Sequence, residues 1–240
     1  MKDQVKSNLE EQENYTSKYK CEKCKDVTYI LVGDKAYPCS CKAIRDAERM
    51  LAKSGISKEF AKKTFKNFDY SRDVQILNAY TIAREYVKNF ADIKDNRNNS
   101  LIFMGSVGSG KSHLSFAVAN ELIKNGVAVI YMGYRDAIIK LKQKIMDSDE
   151  YDKLMNTYKN SKVLLVDDLF KGNITPSDLN IFFEIVNHRY FNNLPMIIST
   201  EMLMDELLKV DEAIGSRLLE MCGEYSVELK GSKLNYRIYK

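Results

Sequence analysis

No segment constrains this chain more than Gly105-Ser106-Val107-Gly108-Ser109-Gly110-Lys111-Ser112. It matches G-x-x-x-x-G-K-[ST] and lies between an apolar run, Leu101 to Met104, and an amphipathic stretch from Ser112 to Lys124. A strand that turns through glycines into a helix aims successive backbone N–H groups, and the helix N-terminus, at one point where an anion is stabilised. The reading is a phosphate-binding loop. Residues Gly105, Ser106, Val107, Gly108, Ser109 and Gly110 form the cradle, Lys111 brings positive charge to the β and γ oxygens of a nucleotide such as ATP, and Ser112 offers its hydroxyl to Mg²⁺.

The surroundings agree with that loop. After Leu101 to Met104, the pattern gives a helix from Ser112 to Lys124, a strand from Val127 to Met132, a helix from Arg135 and a strand from Val163 to Val166. A helix from Ser177 to Phe191, a strand from Met196 to Ser199, two helices between Met202 and Cys222 and a late strand from Tyr225 to Leu229 follow. Short apolar runs separated by amphipathic helices predict an α/β fold, a parallel sheet covered on both faces. A chain of 240 residues suits one such domain with a small appendage.

Two further strands end in polar groups that suit phosphoryl chemistry. Val163-Leu164-Leu165-Val166 leads into Asp167 and Asp168. Asp167 is expected to hold the Mg²⁺ and Asp168 to polarise an attacking water; the plain alternative is a pair of acids that starts a turn. Met196-Ile197-Ile198-Ser199 leads into Thr200 and Glu201, with Thr200 as the expected contact to the γ-phosphate and a helix cap as its equal alternative. Arg217, within Gly215-Ser216-Arg217, is either a solvated surface residue or a cation presented to a neighbouring subunit's phosphate.

Near the N-terminus, Cys21-x2-Cys24 and Cys39-x-Cys41 flank a stretch, Val27 to Val32, that reads as a strand turning at Gly33-Asp34. Four thiolates at this spacing suit a closed tetrahedral Zn²⁺ site of structural type, against the alternatives of free thiols or a disulfide pair. Cys222 stands apart as a core residue. Ile44, Ala47 and Leu51 recur at helical spacing, with Gly55 placed to end that helix. The expected organisation is a flexible lead-in over 1–18, a cysteine module with its helix over 19–55, a linker over 56–64 and the main domain over 65–240. No run approaches the length of a membrane span and no apolar stretch follows Met1, so a soluble cytoplasmic protein without a membrane partner is expected. The net charge of +4 is too mild to hold the chain on nucleic acid by itself. Any polyanion partner must therefore be bound locally; the candidates for single-stranded DNA are Tyr134, Arg135, Lys140, Lys142 and Lys144, where an aromatic adjoining basic residues suits phosphate tracking with base stacking, and a solvated helix face gives the same letters.

Taken in order, these features resemble the DnaC/DnaI-type replicative helicase loaders, with the IstB transposition helpers as close kin, among the AAA+ ATPases. The resemblance runs from about Cys21 to Arg237 and also rests on Thr64-Phe65-Lys66-Asn67-Phe68-Asp69, Asn187-His188-Arg189-Tyr190 and Asn235-Tyr236-Arg237. It implies a five-stranded parallel sheet of order 5-1-4-3-2, ATP at a subunit interface, Arg217 acting in trans and Phe65 near the adenine. It further implies ATP hydrolysis, which the shorter acid Asp168 is expected to make slow, a DnaB-type helicase hexamer and single-stranded DNA as partners, and self-association or helicase-templated assembly through the ATP interface. In such loaders the cysteine module contacts the helicase; direct DNA contact is the alternative. The competing function is an IstB-like helper that remodels DNA for a transposase. Two departures stand out: Asp168 where many AAA+ proteins have Glu, and Thr200-Glu201 where many have Asn. With few residues following Arg217, no separate helical lid is expected, and Arg237 is the expected substitute nucleotide contact.

Overall fold

A computed structural model describes residues 19–53 and 57–239; the expected lead-in over 1–18 and the helix-ending Gly55 lie outside them. The chain divides into two compact units, one ending at Lys42 and the other beginning at Ala43. In the first, β1 (Tyr29–Val32) and β2 (Lys35–Pro38) form an antiparallel hairpin in which Val32 pairs with Lys35 across the turn. The second begins with α1 (Lys42–Lys53) and α2 (Ser57–Lys62). Helix α1, expected to close the cysteine module, groups with this larger unit, where Ala47 is fully buried. Part of the expected linker is the helix α2.

A short 3₁₀ turn (Phe65–Asn67) precedes α3 (Val74–Ile93), a twenty-residue helix that the strand and helix pattern above does not include. Its start is set by Asp73, whose carboxylate accepts from the Gln75 N–H at 2.7 Å. Ile76, Ala79, Ala83, Tyr86 and Phe90 fall on one buried face at helical spacing. Then come β3 (Leu101–Gly105), α4 (Lys111–Lys124), β4 (Val129–Gly133), α5 (Tyr134–Gln143), α6 (Ser148–Asn160) and β5 (Val163–Leu169). The chain continues through α7 (Pro176–Phe191), β6 (Met196–Thr200), α8 (Met204–Val210), α9 (Glu212–Cys222) and β7 (Ser226–Leu229) to a 3₁₀ turn at Ser232–Leu234.

The sheet order is β4-β5-β6-β3-β7, all neighbours parallel. Counting β3 as its first strand, this is the expected 5-1-4-3-2 read from the opposite edge. Alternation along each strand sends side chains to two cores. Ile102, Met104, Leu164, Val166 and Ile198 face α5, α7 and α9 through Ile138, Phe182 and Leu218. Leu101, Phe103, Val163, Leu165 and Ile197 face α3 and α4 through Ile76, Ala83 and Leu114. With both faces covered, every residue of β3 is buried, and each fully buried large side chain contributes about 1.5–3 kcal/mol. The result is a rigid sheet whose C-terminal edge carries the polar groups.

Candidate functional site

At that edge β3 ends on Gly105, which has φ of +107° and where an added Cβ would collide with the Leu229 carbonyl oxygen. Gly110, with φ of +91°, opens α4 directly beneath the Phe68 ring. Lys111 is buried, and its Nζ donates to the Gly105 and Ser106 carbonyls at 2.7 Å each. Burial pushes its pKa down, opposed by the fields of Glu201, Asp168 and Asp167. The loop therefore holds an ammonium group in a partly dry corner with acids on one side, ready for an anion to take the place of the carbonyls.

A cavity of about 280 Å³ opens in front of this loop. Gly108, Gly110, Lys111 and Ser112 form one wall; Asp168, Lys171 and Glu201 face them. Tyr236 and Arg237 complete the mouth, because the chain after β7 folds back over the loop: the Tyr236 N–H donates to the Gly108 carbonyl at 3.0 Å and the Tyr236 hydroxyl to the Asp69 carbonyl at 2.9 Å. Arg72 lies 4.3 Å from the centre of the Tyr236 ring and fastens this strap from the other side.

The two acids at the end of β5 have different surroundings. Burial pushes the Asp167 carboxyl up, and hydrogen bonds from Ser199 and Ser112 oppose that rise. The Ser199 hydroxyl donates to Asp167 Oδ1 at 2.5 Å and accepts from the Asp168 N–H at 3.0 Å. Ser112 and Asp167 thus bring a hydroxyl and a carboxylate, hard oxygen donors, to one point at the loop, a donor set that fits Mg²⁺. Asp168 has the left-handed φ of +56° at a break in the β5–β6 ladder, which turns its carboxylate into the cavity. There Lys171 Nζ pairs with Asp168 Oδ2 and with Glu201 Oε1, both at 2.9 Å.

Several expected site residues sit elsewhere. Thr200 is fully buried, donates to the Leu169 carbonyl at 2.9 Å and accepts from the Met202 N–H, so it ties β6 to β5 and caps a turn; Ser199 is the residue at the acids. The Phe65 ring is buried edge-on against Tyr80 and does not line the cavity, whereas Phe68 touches Gly110 and His113. Tyr134 is buried against Phe170 and Phe182, with no face left for a base. Lys142 is paired with Asp178, and Lys144 with Glu150 at 2.7 Å; Arg135 and Lys140 are exposed. Arg217 does not line the cavity of its own chain; it donates to the Ala213 carbonyl at 2.7 Å and lies over Phe183 and Tyr190. Cys222 is fully buried, which pushes its thiol well above the usual range.

In the smaller unit, the four sulfurs of Cys21, Cys24, Cys39 and Cys41 all lie within 4.8 Å of one another. Cys21 and Cys39 approach to 3.8 Å, and Cys24 and Cys41 to 3.5 Å. Sulfurs about 2.3 Å from a tetrahedral Zn²⁺ stand about 3.8 Å apart, so the donor set fits that ion. The backbone prepares it: the Asp26 carboxylate accepts from the Cys21 N–H at 2.9 Å, and the Thr28 carbonyl accepts from the Cys39 N–H at 2.9 Å. The clustered thiols titrate apart: a hydrogen bond from the Cys41 backbone is the main cause lowering the Cys39 thiol to about 7, while burial and the neighbouring thiols raise the Cys41 thiol to about 12.

Among the described residues no helix is long and apolar enough to cross a membrane. The family of IstB-like ATP binding proteins matches residues 37–234. Phage-like element PBSX protein XkdC of Bacillus subtilis (strain 168) is 37% identical over 239 residues, spanning 94% of this chain and 89% of that protein. The replicative helicase loader DnaC of Escherichia coli (strain K12) is 28% identical over 174 residues, or 72% of this chain and 68% of that protein. The crystal structure of DnaI shares the fold with a TM-score of 0.61 at 24% identity, covering 72% of this chain and 94% of that one.

Proposed function

This chain belongs to the family of IstB-like ATP binding proteins, and from that premise we propose that it is an ATPase that delivers a replicative DNA helicase onto single-stranded DNA. The observation that carries the reading is the convergence of Lys111, Ser112 and Asp168 on one cavity, with Asp167 hydrogen-bonded to Ser112, in a chain similar over most of its length to the loader DnaC. In this reading residues Gly105 to Ser112 cradle the phosphates, Lys111 exchanges the loop carbonyls for β and γ oxygens, and Arg237 adds a cation at the mouth. Ser112 and Asp167 are the residues that would hold Mg²⁺, which when bound neutralises phosphate charge. Ser199, in place of Thr200, positions both acids. Asp168 accepts the proton of a water whose oxygen bonds to the γ-phosphorus as the bond to the bridging oxygen breaks, giving ADP and inorganic phosphate.

Arg217 is assigned to a neighbouring copy's phosphate, which requires it to leave the Ala213 carbonyl. The cysteine module is assigned to helicase contact, and Arg135 and Lys140 to the DNA backbone. The test is retention of the purified helicase hexamer of the same host on the immobilised full chain, with a non-hydrolysable ATP analogue, ADP or no nucleotide. Retention that depends on the ATP analogue and is abolished by Cys21→Ser with Cys24→Ser is expected; no retention in any nucleotide state would sink the loader reading. The IstB description of the family favours a second reading, a helper for a transposase. Nucleotide-dependent retention of a transposase in place of the helicase would establish it.

A further inference from the structure

The Lys171 side chain has no place in the phosphate chemistry described so far, yet it lines the cavity opposite the phosphate loop. Its position is built. Phe170, the residue before it, has the left-handed φ of +60° and is buried between Tyr134 and Phe182, with ring centroids at 5.4 and 5.7 Å. A bulky residue held in that conformation is strained, and aromatic packing on both sides is what holds it there. The anchored turn presents Lys171 to Asp168 and to Glu201, at 2.9 Å from each. One ammonium thus bridges the end of β5 and the segment that follows β6.

We propose that Lys171 is a second cation for the terminal phosphate of bound ATP, and that by moving to a γ-phosphate oxygen it releases Asp168 to accept from water. The proposal rests on the nucleotide reading of this cavity. The side chains of Lys171, Asp168 and Glu201 are between a third and a half exposed, and ion pairs so open to solvent hold their partners weakly. A γ-phosphoryl group offers three strong acceptor oxygens and more negative charge than either carboxylate, inside a corner where Lys111 is already partly desolvated. The exchange therefore favours the phosphate. With ADP there is no γ group, Lys171 stays on Asp168 and Glu201, and the water-activating carboxylate remains engaged. Lys171 would thus make the site distinguish ATP from ADP, and it would do so without the neighbouring subunit.

The test is titration of the full-length chain with Mg²⁺ and N-methylanthraniloyl ATP or ADP, for wild type, Lys171→Ala, Lys171→Arg and Lys111→Ala. Lys171→Ala is expected to weaken ATP binding about tenfold and ADP binding by less than about twofold, the loss of one charge-assisted bond to the γ group. Lys171→Arg should recover most of the ATP affinity, which also shows that the position tolerates substitution. Equal losses for ATP and ADP, or no loss for either, would overturn the proposal while leaving the nucleotide reading standing. If wild type binds neither nucleotide, or Lys111→Ala binds both as well as wild type does, the nucleotide reading itself falls and the role of Lys171 falls with it.

Discussion

The hairpin of β1 and β2 and the five-stranded sheet are both built from short apolar strands, and different forces hold them. Every residue of β2 is exposed, and of β1 only Ile30 is partly covered, whereas all of β3 and all of β6 are buried. Leu31 keeps 76% of its surface in water, while Leu101 and Ile102 keep none. A two-stranded hairpin without a covered face is marginal on its own. Its four converging thiols, not its apolar residues, are what can fix it. The lesson is that strand-forming letters specify a stable strand only where helices cover both faces or a metal replaces the missing core.

The largest effect expected from this contrast is metal removal. Chelation should abolish the fold of residues 19–42, because structural Zn²⁺ contributes on the order of 10–16 kcal/mol to such modules, and leave the sheet intact. Amide hydrogen exchange checks this: the hairpin should lose all protection while β3 and β6 keep theirs. Hairpin protection that survives chelation would break the comparison. Next in size, Phe182→Ala in the core should cost about 3–5 kcal/mol in denaturant unfolding, because the ring is fully buried among Tyr134, Phe170 and its aliphatic neighbours. Leu31→Ala in the hairpin should stay within about 0.5 kcal/mol.

A further small effect concerns charge. Burial alone would raise the Asp178 carboxyl, but bonds from Lys142 and from the Thr175 N–H outweigh it and hold the pKa below the usual carboxylate value. A group lowered in the folded state contributes stability above its unfolded pKa, about 4, and loses that contribution as pH falls through the folded value. Lys142→Met should therefore reduce the acid sensitivity of the larger unit by about 1 kcal/mol or less, read from urea midpoints at about pH 6 and about pH 3. Identical pH dependence in the two proteins would show that the pair contributes nothing.

Local pattern made the phosphate loop, the two acids at the end of β5 and the thiol cluster readable, because each depends on residue type at short spacing, and the alternation of strands and helices gave the parallel sheet; its strand order came from the family resemblance. Helix α3 had readable signals too, a capping Asp73 and an apolar face from Ile76 to Phe90. It lies upstream of the first sheet strand, where the βα alternation gives no frame. The remaining differences turn on direction. At the end of β6, Ser199 and Thr200 are adjacent hydroxyls, and only the pairing with β5 decides that Ser199 meets Asp167. Tyr134 lies in a basic stretch, yet as the first residue of α5 it points at Phe170 and Phe182. Arg189, a charged residue near the end of α7, is fully buried and donates to the Tyr158, Lys159, Ser161 and Pro195 carbonyls. Lys171 became visible only when the turn placed it between two acids.

The central claim is that nucleotide bound at Lys111 controls delivery of a helicase. The most direct test is deposition of the purified hexameric helicase on circular single-stranded DNA, where a ring cannot thread over an end. Deposition should require this protein and ATP and should be lost with Lys111→Ala. A helicase that loads equally well without the protein, or with the Lys111→Ala variant, would contradict the account.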